Sequence, residues 1–187
     1  MKKRHRFFAF LLCIAVVIYA AKPIYTLLMK SLYPLRYEEL IYEYSKEYKL
    51  DEYMVMALIK AESNYIYDAH SGVARGLMQI TDETALWIAE KLSIDFSKDD
   101  IVSPETNIKM GCFYLSYLLD YYKGDETLAL CAYNAGMGNV NKWLKNEQYS
   151  KDNKTLDKIP FEETRKYIEK IEKNKEIYIS LYNNEEE

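Results

Sequence analysis

Fifteen consecutive apolar residues, Phe7 to Ala21, follow the cations Lys2, Lys3, Arg4 and Arg6. A run with no polar face has nothing to offer water, so it must be covered on all sides by lipid or protein. Cations before such a run form the pattern of an export signal, with the positive charge held on the cytoplasmic side. Apolar character resumes after Lys22-Pro23 through Ile24, Leu27, Leu28 and Met29. Phe7–Met29 is therefore 23 residues long, against about 20 needed for a membrane span. A small-x-small cleavage site is poorly formed around Ile18 to Ala21, and Cys13 follows Leu11-Leu12 without the small residue a lipoprotein signal wants. Residues 1–30 are expected to be an uncleaved signal anchor at the cell membrane. Residues 31–187 are then one extracytoplasmic domain, which cleavage would instead leave secreted.

Residues 31–187 hold 19 Lys/Arg against 29 Asp/Glu, a net of −10. That balance excludes a nucleic-acid binder working by bulk positive charge. Hydrophobic residues make up 49% of the chain, with only six Gly and four Pro, which excludes disordered and collagen-like classes. Helix punctuation is frequent. A first helix is predicted from Pro34 to Tyr48. Asp51 reads as an N-cap for a helix to Ser63, and Thr81 or Asp82 opens another. Ser103-Pro104-Glu105 starts a helix to about Tyr122 with proline in its first turn. Asp125 starts the next, which Gly136 ends. A short helix covers Val140 to Leu144, Lys145 to Lys158 is a loop, and Phe161 to Tyr182 is the last helix. Asn64 to Gly76 is rich in turn residues. Almost nothing alternates with period two, so the domain is predicted to be all-α or nearly so.

Cys112 and Cys131 sit among apolar residues at helical spacing and read as buried free thiols, although export would permit a bridge. No Cys/His spacing suits a metal and no glycine-rich phosphate loop exists, so neither metal nor organic cofactor is expected.

The chemistry points to Glu62. The apolar stripe of its helix is Val55, Leu58 and Ile59, and Glu62 is the next position on that stripe. A carboxyl pulled toward the core, at a helix end made negative by unpaired carbonyls, resists ionisation. A proton donor working near neutral pH needs that environment. Ser71, Met78-Gln79 after Gly76, and Tyr133-Asn134 before Gly136 add rings, amides and a hydroxyl. Those groups suit a neutral polymer of amide-bearing sugars.

Taken together, Glu62-Ser63-Asn64-Tyr65, Ala74 to Ile80 with Thr84-Ala85, Asn107 to Leu115, Ala132 to Gly136, and Ile159-Pro160-Phe161 with Glu163-Thr164-Arg165 and Tyr167 resemble the soluble-type lytic transglycosylases. The resemblance covers roughly Leu40 to Tyr178. It implies a lysozyme-like helical domain that cleaves the MurNAc-GlcNAc bond of peptidoglycan without water, leaving 1,6-anhydromuramoyl ends. It gives Glu62 the part of acid and then base. Ser71, Met78, Gln79, Tyr133, Asn134 and Glu163 are implied to bind saccharide, and the implied partner is the glycan strand. Val73 stands where the family tends to have Gly, and the Ser71–Gly76 interval is one residue shorter than usual. Hydrolysis of the same bond by a muramidase, or wall binding without turnover, remain open on these residues.

Overall fold

The computed structural model describes residues 2–183, apart from the side chains at positions 2–4, 6, 8, 9, 13, 15, 18 and 98. Asp51 begins the most buried helix. Its side chain accepts from the amides of Tyr53 at 2.9 Å and Met54 at 3.3 Å, the N-cap read from the sequence. The helix that follows, α3 (Glu52–Glu62), buries six consecutive residues from Met54 to Ile59. A helix covered on every side needs a shell. Part of that shell is α2 (Glu38–Glu47), which packs on both α3 and α5 (Pro104–Tyr121); α5 in turn packs on α6 (Glu126–Ala135). The remaining helices of this unit are α4 (Asp82–Leu92), α7 (Met137–Leu144) and α8 (Glu162–Tyr182). Residues 35–179 form this compact unit.

Residues up to 34 and from 180 onward belong to a second unit. There α1 (Lys2–Leu32) is one continuous helix that runs through Pro23. Tyr182 donates its hydroxyl to the Tyr33 carbonyl at 2.6 Å, and Lys30 lies 5.0 Å from its ring centre. Among the described residues no helix is long and apolar enough to cross a membrane. Several side chains of the expected anchor, at positions 8, 9, 13, 15 and 18, lie outside the described residues, as do residues 184–187.

The predominantly helical expectation holds, with three local corrections. Two-residue strands β1 (His70–Ser71), β2 (Ala74–Arg75) and β3 (Ile80–Thr81) form an antiparallel sheet in the order β1-β2-β3. Its register pairs His70 with Arg75 and Arg75 with Ile80. Strands that short have no room for a visible period of two. The first helix starts at Glu38, because Pro34 stiffens the entry and Tyr37 turns left-handed at φ 56°. The helix after Gly136 starts at Met137, a full turn earlier than its apolar residues signal. Cys112 and Cys131 are both free and buried.

Candidate active site

The acid sits where a buried helix ends. Glu62 is the last residue of α3 and is half-buried, with Ile59 and Leu58 beneath it fully enclosed. Directly after it the chain reverses. Ser63 donates its hydroxyl back to the Ile59 carbonyl at 3.2 Å, and Asn64 and Tyr65 are both left-handed, at φ 52° and 63°. A tyrosine in that region is strained and persists only when packing holds it. Here Tyr65 is 2% exposed and donates to the Met56 carbonyl at 3.3 Å.

Tyr167 of α8 donates its hydroxyl to Glu62 Oε1 at 2.5 Å. Burial pushes the Glu62 carboxyl up from an ordinary 4.5 to about 7, against the opposing pull of the Tyr167 hydrogen bond and the Lys170 charge. The same burial drives the Tyr133 and Tyr167 phenols upward, with the Glu62 charge adding to it, so both rings stay neutral donors. The titratable groups facing Glu62 are thus two phenols and one ammonium, from α6 and α8.

The hairpin forms the neighbouring wall. Gln79 is left-handed at φ 49°, and its amide is engaged on both ends. Its Nε2 donates to the Ala69 carbonyl at 3.0 Å and the Gly76 carbonyl at 2.7 Å, while Oε1 accepts from Ser71 Oγ at 2.7 Å. Ser71 and Gln79, both implied by the resemblance to bind saccharide, are therefore bonded to each other. The shortened Ser71–Gly76 interval is a two-residue connection, Gly72-Val73, between β1 and β2; Gly72 adopts φ 60° and Val73 is exposed. Met78 is among the residues that the resemblance implies for saccharide binding. Its side chain is fully buried against Gly111 of α5, where any Cβ would collide with the Met78 sulfur. Its backbone carbonyl instead accepts the Tyr133 hydroxyl at 2.8 Å, which pins that ring beside the acid.

Asn107 locks this arrangement. Its Oδ1 accepts from the Met78 amide at 2.6 Å, and its Nδ2 donates to the carbonyls of Arg75 at 3.0 Å and Ile101 at 2.8 Å. Gly76, at φ 83°, leaves the space that the Asn107 amide fills. Asn134 is exposed at the end of α6 and accepts from the Thr164 hydroxyl at 2.7 Å, which ties it to α8. Glu163 is exposed on α8 one residue before Thr164. Sequence reasoning quoted Asn107 and Tyr167 inside motifs without giving either a task. Only the signal of a buried amide far from its partners in sequence, or a tyrosine on α8 one turn from Thr164, pointed that way.

Two cavities flank the hairpin side. One of about 680 Å³ is lined by His70, Val73, Arg75, Asp82, Glu83 and Asp99. Another of about 300 Å³ is lined by Glu83, Thr84, Trp87, Tyr114, Tyr117 and Met137. Glu83 borders both, and the Tyr114 ring lies 5.4 Å from that of Tyr133, so the aromatic cavity adjoins the site. Among the described residues no group of His, Cys, Asp and Glu is placed to hold a metal ion.

A family model for the Transglycosylase SLT domain matches residues 39–156. The soluble lytic murein transglycosylase of Salmonella typhimurium is 34% identical over 147 residues, covering 76% of this chain and 23% of that protein. The membrane-bound lytic murein transglycosylase C of Photorhabdus laumondii is 31% identical over 163 residues, covering 73% of this chain and 44% of that one. The X-ray structure of an inactive Glu-to-Gln mutant of lytic transglycosylase Slt from Pseudomonas aeruginosa superposes with a TM-score of 0.72. It shares 32% identity and covers 81% of this chain and 25% of that one. This chain spans about a quarter of the length of the soluble relatives it matches. Similar proteins thus bear both soluble and membrane-bound names.

Proposed function

Because this chain belongs to the Transglycosylase SLT domain family, we propose that it is a peptidoglycan lytic transglycosylase with Glu62 as its acid and base. One observation carries the reading: Glu62 is a half-buried carboxyl raised to about 7, oriented by Tyr167. An acid with that value holds its proton near neutral pH and can give and retake it at little cost. Glycosidases of the common type pair two carboxylates across the bond, whereas phenols and an ammonium face Glu62 here.

Protonated Glu62 gives its proton to the oxygen leaving C1 of N-acetylmuramic acid, and the C1–O bond breaks. The 2-acetamido group of the same sugar supports the cationic centre. Glu62, now a carboxylate, takes the proton of the C6 hydroxyl, whose oxygen closes onto C1. The products are a free GlcNAc hydroxyl and a 1,6-anhydromuramoyl end; the proton count on Glu62 is restored and no water is used. Tyr167 donates to the carboxylate between the two steps. Ser71, Gln79, Tyr133, Asn134 and Glu163 border the strand, with Met78 acting from beneath through its carbonyl.

The first thirty residues are proposed to anchor the enzyme beside the wall. Support comes from the cations before an apolar run of 15 residues, from the continuous helix that contains it, and from a relative that is named membrane-bound. Tethering would confine an acidic domain near an anionic wall, where long-range steering does not help it.

The test digests stem-bearing wall with the full chain and with Glu62→Gln, and weighs the released fragments. Fragments lighter by one water than hydrolytic products, absent with the mutant, are the expected result. Fragments of full hydrolytic mass would make the enzyme a muramidase. Binding without release by either protein would leave a wall-binding module.

A further inference from the structure

Helix α8 is seated against the helix that ends in the acid. Thr164, Ile168, Ile171 and Asn174 are among its buried residues. The Thr164 hydroxyl donates to Asn134 at 2.7 Å, and the Asn174 amide donates to the Ala57 carbonyl of α3 at 3.4 Å. That seam fixes the register in which Tyr167 and Lys170 meet the end of α3; three residues apart, they share one face of α8. Tyr167 donates to Glu62 Oε1, and Lys170 donates its ammonium to the Ala61 carbonyl at 2.6 Å. The peptide carrying this carbonyl leads directly into Glu62. Its planar geometry therefore puts the ammonium within roughly 5.5 Å of the Glu62 Cα. Among the described residues Lys170 is in no ion pair. Elsewhere on α8, Arg165 and Lys166 pair with acids of their own helix, and Lys175 pairs with Asp51 and Glu126.

A carboxyl in the last turn of a helix faces the negative end of the helix dipole, which opposes its ionisation. Burial opposes it further. Yet the proposed reaction needs the carboxylate to exist between two proton transfers, one to the leaving oxygen and one from the C6 hydroxyl. A cation seated on a terminal carbonyl cancels part of that field at its source, and it stands close enough to favour the carboxylate directly. The Lys170 charge does hold the Glu62 pKa down, in the same sense as the Tyr167 hydrogen bond. It sits on the neighbouring peptide and not in contact with the carboxyl, so it stops short of an ion pair that would keep Glu62 ionised and unable to donate. The other charged and titratable groups at this corner are the Tyr133 and Tyr167 phenols and Lys60 of α3. The Lys60 pKa is lowered by burial and then by the Lys170 and Arg36 charges.

We infer that Lys170 is a positioning residue of the proton cycle: its ammonium, seated on the Ala61 carbonyl, supports the Glu62 carboxylate that exists between the two proton transfers. The inference rests on the reading of Glu62 as the acid and base of a peptidoglycan-cleaving enzyme. Lys170 touches neither sugar nor proton and acts only through Glu62. Tyr167 and Lys170 then divide the work on one face of α8, the phenol orienting the carboxyl and the ammonium offsetting the helix end behind it. Position 170 lies outside residues 39–156 that the family model matches.

The test compares the full chain in detergent with its Lys170→Gln, Lys170→Arg and Lys166→Gln variants. Glu62 is titrated without catalysis, by subtracting the pH-dependent unfolding of each protein from that of its Glu62→Gln partner. Lys170→Gln is expected to raise the Glu62 midpoint by about half a pH unit to one unit, and Lys170→Arg to restore it. Lys166→Gln, which removes an exposed cation of the same helix, should leave it unmoved. Wall digestion should show the alkaline limb of the rate profile rising by the same amount in Lys170→Gln. Its kcat should fall about two- to fivefold with KM within twofold, because a weaker acid protonates the leaving oxygen. The shift should shrink in about 0.5 M salt, since Lys170 is exposed. Lys170→Met gives the same reading should the glutamine variant fail to fold. A Glu62 midpoint that ignores Lys170, or that moves equally with Lys166→Gln, would overturn the proposal. So would a rise in KM with the limb unmoved, since Lys170 would then bind substrate. If Glu62 responds to Lys170 but no variant releases fragments at any pH, the reading of Glu62 as a catalyst falls instead.

Discussion

Replacing Glu62 by Gln should make the protein more stable above neutral pH while abolishing turnover. The sign follows from linkage. Burial raises the carboxyl from 4.5 to about 7 in the folded chain, so between those values the folded state binds more protons than the unfolded one. Stability is fully present below about pH 4.5 and is lost as pH rises through about 7. The interval is about 2.5 pH units, and at about 1.4 kcal/mol per unit ionising Glu62 costs the fold on the order of 3 kcal/mol. Glutamine has nearly the shape of the neutral acid and still accepts from the Tyr167 hydroxyl, yet it cannot ionise. The mutant should match wild type at pH 4.5 and exceed it by on the order of 3 kcal/mol at pH 8.5, or about 6–12 °C in Tm for a chain of this size. Urea or thermal unfolding of both proteins from pH 4.5 to 8.5 measures the difference directly. Parallel curves across that range would refute the reasoning, because Glu62 would then titrate alike in the folded and unfolded chain.

Other perturbations test the parts around it. Tyr167→Phe removes the strongest influence holding the Glu62 pKa down, and a hydrogen bond to a charged group is worth about 1.5–3 kcal/mol. The alkaline limb of the rate profile, where the acid form is lost, should therefore move up by about one to two pH units; an unmoved limb would remove Tyr167 from the mechanism. Asn107→Ala strands the Met78 amide and the Arg75 and Ile101 carbonyls and should cost about 2–4 kcal/mol in denaturant unfolding. Gly111→Ala forces a methyl group onto the Met78 side chain and should cost about 1–3 kcal/mol, with activity falling further if Tyr133 loses its seat on the Met78 carbonyl. Burial pushes the Cys131 thiol up to about 12 and Cys112 higher still. Neither should react with a thiol reagent in the folded protein, and both should react on unfolding.

Much of the helical frame was legible because its signals are local. Asp51, Thr81 and Asp125 each cap the helix they precede, since a side chain reaching an amide two or three residues on needs no help from the rest of the fold. Ser103 sits at the expected helix start without making a side-chain cap bond; there the proline that follows suffices. Glu62 was legible for a related reason. Helix periodicity alone puts it on the stripe of Val55, Leu58 and Ile59, and burial of that stripe raises its pKa.

What the sequence could not say involves partners far along the chain. Tyr167 meets Glu62 across 105 positions, Lys170 meets the Ala61 carbonyl across 109, and Tyr133 meets the Met78 carbonyl across 55. Gln79 and Ser71 were readable as polar groups of one region, but only the three short strands decide that they spend their hydrogen bonds on each other. Met78 likewise looked like a surface contact until Gly111 of another helix opened a hole for it. Residue type and helical period therefore determined that this chain carries an acid near the edge of a buried helix. Tertiary packing decided how that acid is oriented and which cation stands beside it, because those depend on distances between helices that no local pattern encodes.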